Sequence, residues 1–122
     1  MNTPQTVLII EDEAKLRRAV AAYLEDSGYL IVEAANGREG IEQFSKNKPD
    51  AVLTDLRMPE MNGIEVVTWL QQNSPQTPVI VISGTGDQHA VETALAAGAK
   101  MYLTKPINDL AELDTAIKSV LC

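Results

Sequence analysis

Short apolar runs and amphipathic stretches alternate along the chain. Thr6 to Ile10 is continuously apolar after its first residue, which predicts a strand buried on both faces. Leu16, Ala19, Val20, Tyr23 and Leu24 then recur at helical spacing, and Gly28 supplies a stop. Tyr29 to Val32 reads as a second strand and Asn36-Gly37 as a turn. Ile41 and Phe44 give the next helix its apolar stripe, which Pro49 closes. Asp50 to Thr54 predicts a third strand. A helix from about Gly63 to Asn73 follows, with Ile64, Val67 and Leu70 inward and Trp69 packing on the flank. Val79 to Ile82 predicts a fourth strand, with Ser83-Gly84-Thr85-Gly86 as a flexible loop. Asp87 is expected to cap a helix over Gln88 to Ala97 that stops at Gly98, with His89 on its exposed side. Lys100 to Thr104 predicts a fifth strand. Asp109 is expected to cap a last helix with Leu110, Leu113, Ile117 and Leu121 on one side.

Five strands alternating with five helices over short connections mean a parallel sheet with helices on both faces, joined by right-handed crossovers. The expected fold is α/β, a flavodoxin-like doubly wound (βα)5 sheet in the order 2-1-3-4-5, with its switch point between the first and third strands. At 122 residues the chain is one domain, 1–122, with no dividing linker. Aromatic residues are few, so the core must be built from Val, Ile, Leu and Ala.

The formal charge of −7 argues against direct nucleic-acid binding and against an anionic membrane surface, and suits binding of a cation. The single cysteine, Cys122, excludes an internal disulfide or a thiolate metal site. Val7-Leu8-Ile9-Ile10 is too short for a signal peptide, and no stretch is long enough to span a bilayer. A cytoplasmic location is the expectation.

The chemistry collects at the carboxyl ends of the strands. Glu11 and Asp12 follow the first, Asp55 the third, Ser83 the fourth and Lys105 the fifth. Neighbouring first and third strands bring three carboxylates to one crevice, an arrangement that favours a divalent cation. Ligands that are all oxygen point to Mg²⁺ or a similar hard ion. A cation, a lysine and a hydroxyl around one carboxylate are the parts needed to hold a phosphoryl group, and the central carboxylate, Asp55, can itself be the nucleophile. Taken singly, each residue has a plainer role: a loop aspartate, first-turn acids, a loop hydroxyl, a surface lysine.

Ile10-Glu11-Asp12-Glu13, Asp55-Leu56-Arg57-Met58-Pro59-Glu60-Met61-Asn62-Gly63, Ile82-Ser83-Gly84 and Tyr102-Leu103-Thr104-Lys105-Pro106 together resemble the receiver domain of bacterial two-component response regulators, over essentially the whole chain. The resemblance implies that Asp55 accepts a phosphoryl group from a phosphohistidine of a sensor histidine kinase or phosphotransfer protein. It implies Mg²⁺ held by Glu11, Asp12, Asp55 and the Arg57 backbone carbonyl. It makes Ser83 the switch hydroxyl, Tyr102 the switch aromatic and Lys105 the phosphoryl partner. It expects a cis peptide before Pro106, and it assigns Arg57 and Thr85 to tuning of phosphoryl lifetime. The output is expected through the face of the fourth helix, fifth strand and fifth helix, toward a downstream protein or effector domain, with a phosphorylation-dependent homodimer open.

The domain is then a switch that assists its own phosphorylation and dephosphorylation, not an enzyme. The alternative is a pseudo-receiver that docks constitutively without phosphorylation. An aspartyl phosphatase resembling the haloacid dehalogenase group would need an Asp where Arg57 stands, and a flavin carrier would need more aromatic residues. The chain stops at Cys122 without an effector segment, so a stand-alone receiver or a piece of a longer regulator is expected, the abrupt end favouring the piece.

Overall fold

The computed structural model describes residues 4–56, 61–84, 87–106 and 109–121. Five strands and five helices alternate: β1 (Thr6–Ile10), α1 (Ala14–Asp26), β2 (Leu30–Ala34), α2 (Gly37–Asn47), β3 (Ala51–Asp55), α3 (Gly63–Asn73), β4 (Val79–Ser83), α4 (Gln88–Ala97), β5 (Met101–Thr104) and α5 (Ala111–Leu121). All strand pairs are parallel and the sheet order is β2-β1-β3-β4-β5. The fold is therefore the flavodoxin-like doubly wound sheet, with its switch point between β1 and β3.

Alternation along each central strand sends side chains to two separate cores. Leu8, Ile10, Val52, Val79 and Val81 pack under α2, α3 and α4 with Phe44, Val66, Val67, Leu70 and Ala94. Val7, Ile9, Leu53, Ile80 and Ile82 pack under α1 and α5 with Val20, Leu24, Leu113 and Ile117. Phe44 is the one aromatic among the buried apolar side chains described. Trp69 is half-buried and meets the Phe44 ring edge-on, centroids 5.9 Å apart, which is the packing role expected of it.

Several boundaries differ from the sequence pattern. Asp55 and Ser83 lie within their strands, because each still pairs across the ladder, Asp55 with Ile82 and Ser83 with Thr104. β2 starts at Leu30 because the Tyr29 amide is used to close α1 on the Leu24 carbonyl, and it extends to Ala34, opposite Ile10. Asn36-Gly37 opens α2: the Asn36 side chain caps the Glu39 amide at 2.8 Å. Asp87 stands at the N-cap position of α4, but its side chain makes no capping bond there. Asp109 does cap α5, accepting from the Ala111 amide at 2.9 Å. His89 is exposed, as expected.

α3 enters by a capping box, Asn62 accepting from the Glu65 amide at 3.0 Å and Glu65 from the Asn62 amide at 3.2 Å. Its first residue must be glycine. A Cβ on Gly63 would collide with the Asp55 backbone oxygen and stand 2.8 Å from the Leu56 Cα. That close approach lets the Gly63 amide bond the Leu56 carbonyl at 2.8 Å and brings the helix start beneath the end of β3.

Candidate functional site: an acidic pocket at the switch point

β1 delivers Glu11 and Asp12 just past its last residue, and β3 ends in Asp55 beside them. Glu11 and Asp55 are buried, at 6% and 8% exposure, while Asp12 is exposed. One carboxylate oxygen from each of the three lies within 4.8 Å of the others. The donor set is all oxygen and strongly acidic, which fits a hard divalent cation.

Lys105 offsets this charge from across the sheet. Its ammonium donates to Glu11 Oε1 at 2.8 Å and to Asp55 Oδ2 at 3.0 Å. β4 positions it, because the Lys105 amide donates to the Ser83 carbonyl at 2.7 Å. The Lys105-Pro106 peptide is cis. The other Asp55 oxygen, Oδ1, accepts from the Leu56 amide at 2.7 Å. Glu11 Oε2 accepts from the Glu13 amide at 3.0 Å.

Crowding shows in the ionisation of both partners. Burial pushes the Glu11 carboxyl up, against the opposing bonds from Lys105 and the Glu13 amide, and Asp12 and Asp55 push it further up. Burial works to lower Lys105, but the bonds and charges of Glu11 and Asp55 together outweigh it and hold the ammonium above the usual lysine range. Lys105 is therefore charged throughout the neutral range.

Ser83 is buried at the end of β4, one residue beyond the Asp55 partner Ile82. Tyr102 is half-buried on β5 opposite Val81 and packs against the α2–α4 core. Asp55, Glu11, Asp12 and Lys105 are thus in one pocket, with Ser83 adjoining and Tyr102 further along β5. Arg57 and Thr85 lie outside the described residues.

Sequence reasoning missed two residues behind the pocket. Arg17 Nη1 donates to the Glu11 carbonyl oxygen at 2.8 Å, and its Nε donates to Glu33 Oε1 at 3.1 Å. A charged residue inside an otherwise apolar strand, Glu33 in Leu-Ile-Val-Glu-Ala, was the available signal.

The 2-1-3-4-5 sheet makes this a doubly wound α/β protein, and the acidic, lysine-offset pocket at its switch point is its candidate ligand site. Within that class, the response regulator receiver domain family matches residues 7–118, and the chain belongs to it. It is a receiver domain of phosphorylation-based two-component signalling. It is 41% identical over 101 residues to the chemotaxis protein CheY of Thermotoga maritima, covering 82% of this chain and 84% of that one. It is 36% identical over 115 residues to the transcriptional regulatory protein SrrA of Staphylococcus aureus, covering 94% of this chain but only 47% of SrrA. A solved structure of the response regulator TrrA from Thermotoga maritima, in complex with Mg(2+)-BeF, superposes with a TM-score of 0.86 at 26% identity, covering 96% of this chain and 99% of that one. Among the described residues, no helix is long and apolar enough to cross a membrane.

Proposed function

We propose that residues 1–122 act as one receiver domain in which Asp55 is the phosphoacceptor. The observation that carries this reading is the pairing of Asp55 Oδ2 with the Lys105 ammonium at 3.0 Å, inside a pocket whose three carboxylates converge within 4.8 Å. A carboxylate oxygen of Asp55 forms a P–O bond as the P–N bond of a phosphohistidine breaks. The donor imidazole leaves with that electron pair and is protonated from solution. The donor is a sensor histidine kinase or a phosphotransfer protein.

Glu11, Asp12 and Asp55 would hold Mg²⁺, and the family resemblance adds the Arg57 carbonyl as a further ligand. When bound, Mg²⁺ offsets the charge that gathers on the transferring phosphoryl oxygens. Lys105 turns from Glu11 and Asp55 to a phosphoryl oxygen. The family resemblance assigns Arg57 and Thr85 to tuning the lifetime of the acyl phosphate. The domain assists its own phosphorylation and dephosphorylation and is a switch, not a turnover enzyme.

The phosphoryl group adds close to two negative charges at the end of β3. The Ser83 hydroxyl moves to it, Tyr102 turns toward the space vacated, and the α4-β5-α5 face changes its preference for a downstream protein or effector domain, or for a second copy. The setting is the cytoplasm, and the site makes no direct contact with nucleic acid or membrane.

The test is intact mass after incubation with phosphoramidate, whose P–N bond resembles that of the donor, with and without Mg²⁺. One phosphoryl adduct is expected in the parent, dependent on Mg²⁺, and none in Asp55→Asn. No adduct in the parent, together with no binding of beryllium fluoride, would overturn this reading in favour of a phosphorylation-independent docking module.

A further inference from the structure

We infer that Arg17 is a positioning residue for the metal pocket, holding the Glu11-Asp12 turn from behind. The inference rests on the reading that these acids bind Mg²⁺. Arg17 lies in the first turns of α1, six residues after Glu11, with its side chain only 17% exposed. Its guanidinium spans two anchors. Nη1 donates to the Glu11 carbonyl oxygen at 2.8 Å, and Nε donates to the Glu33 carboxylate at 3.1 Å. Arg17 also lines, with Glu11 and Asp55, the cleft beneath α1.

Glu33 is well placed to hold the guanidinium still. It sits on β2 in register with Ile9, so its backbone is fixed by the sheet; its second oxygen also takes Arg18 Nη1 at 2.6 Å, but Arg18 is 73% exposed and adds little to this support. The backbone of Glu11 is consequently held on both sides. Its amide donates to the Ala34 carbonyl at 3.1 Å, and its carbonyl accepts from Arg17. That carbonyl begins the peptide that leads to Asp12. The orientation of this one peptide sets where the exposed Asp12 carboxylate stands relative to buried Glu11 and Asp55. Groups behind metal ligands commonly control affinity in this way, because they fix ligands that would otherwise have to be ordered on binding.

Charge and geometry predict opposite signs for the loss of Arg17. The guanidinium is a cation near a cation site. Neutralising it should tighten Mg²⁺ binding if its charge were all that mattered. If it positions the Glu11-Asp12 peptide, neutralising it should weaken binding. Lysine separates the cases further. It keeps the charge but lacks the planar fork that reaches Glu33 and the Glu11 carbonyl together.

The experiment is Mg²⁺ titration calorimetry on the full chain, with thermal melting to establish folding. Parent binding of Mg²⁺ is the control for the underlying reading. An inert parent would defeat that reading and not this one alone. With a binding parent, folded Arg17→Gln is expected to bind Mg²⁺ about tenfold more weakly, and Arg17→Lys to be weakened as well. Arg18→Gln, which removes a neighbouring charge that also pairs with Glu33 but touches no part of Glu11, should bind as the parent or slightly tighter. A folded Arg17→Gln that binds as tightly as the parent, or tighter, would overturn the inference. Should Arg17→Gln fail to fold, an unchanged affinity in Arg17→Lys would overturn it equally.

Discussion

Lys105 sets an ammonium against two of the three pocket carboxylates, and replacing it should separate fold stability from metal affinity. Consider Lys105→Met, which keeps the length of the side chain and removes its charge. The ammonium makes two bonds to carboxylates, at 2.8 and 3.0 Å. Bonds to charged partners contribute about 1.5–3 kcal/mol each, so the gross loss is roughly 3–6 kcal/mol. Lys105 keeps 22% of its side chain exposed, which lets water replace part of what is lost. We take about 2–3 kcal/mol for the metal-free protein, which at this chain length lowers the melting temperature by about 6–12 °C. Mg²⁺ binding should change in the other direction. In the parent the ion must draw Glu11 or Asp55 away from Lys105, and it then lies near a positive charge. Removing both costs should tighten binding at least tenfold, the equivalent of one such bond at about 1.4 kcal/mol per decade. Saturating Mg²⁺ therefore restores part of the lost stability in the variant and raises its melting temperature more than the parent's. Calorimetric Mg²⁺ titration and melting with and without Mg²⁺ measure both quantities. A folded variant that binds Mg²⁺ no more tightly than the parent would refute the idea that Lys105 competes for the pocket.

Two further outcomes follow from the same structure. Lys48 closes α2 in the left-handed region at φ 45° and ψ 62°. That conformation costs an L-residue roughly 1–2 kcal/mol, and glycine gives back about half in unfolded-state entropy. Lys48→Gly is thus expected to stabilise by about 0.5–1 kcal/mol, raising the melting temperature by about 2–4 °C, and an unchanged or lower value would contradict it. The Glu11 carboxyl is raised above its reference value of 4.5, chiefly by burial, so the folded chain binds that proton more tightly than the unfolded chain. The contribution of this group to stability therefore declines as pH rises from 4.5 through the raised value. Mg²⁺, which needs the carboxylate, should bind more tightly over the same rise and level off above it, changing about tenfold per pH unit on the acid side. A flat affinity in titrations across that window would count against Glu11 as a ligand.

Local pattern made the ten elements and their order legible, because each strand is an apolar run too short for a helix and each helix carries an apolar stripe. Asp55, Glu11, Asp12 and Lys105 could be gathered from sequence because a parallel sheet puts all strand ends on one edge, so topology alone brings them together. The ends of β3 and β4 were less legible. Asp55 and Ser83 are polar, yet neighbouring strands continue to bond their backbones, and the ladder rather than side-chain polarity decides where a strand stops. Arg17 and Glu33 were not legible at all. Their meeting depends on the rotation of α1 over the β1–β2 edge, a long-range packing outcome with no local sign beyond the charge in β2. Asp87 shows the reverse error. Aspartate before a helix is a frequent cap, but its side chain does not take that role here.

Packing across the sheet is uneven, and the unevenness bears on how the proposed switch could work. From Val7 onward every residue of β1 is buried, as is every residue of β3 and β4. Those strands lead into Glu11 and carry Asp55 and Ser83. By contrast, no residue of β5 is fully buried, and α4 buries only Ala94, with Ala97 packed partly against the core. Elements with little buried apolar area open and shift at lower free energy than those with much. The bond from the Lys105 amide to the Ser83 carbonyl, at 2.7 Å, ties the end of β4 to the residue that follows β5. A displacement that begins at Ser83 or Lys105 meets a rigid β3 on one side and the thinly packed β5 and α4 on the other. Movement is cheaper toward β5 and α4. Charge added at Asp55, as the proposed switch requires, is therefore expected to be felt at β5 and α4 rather than at β3.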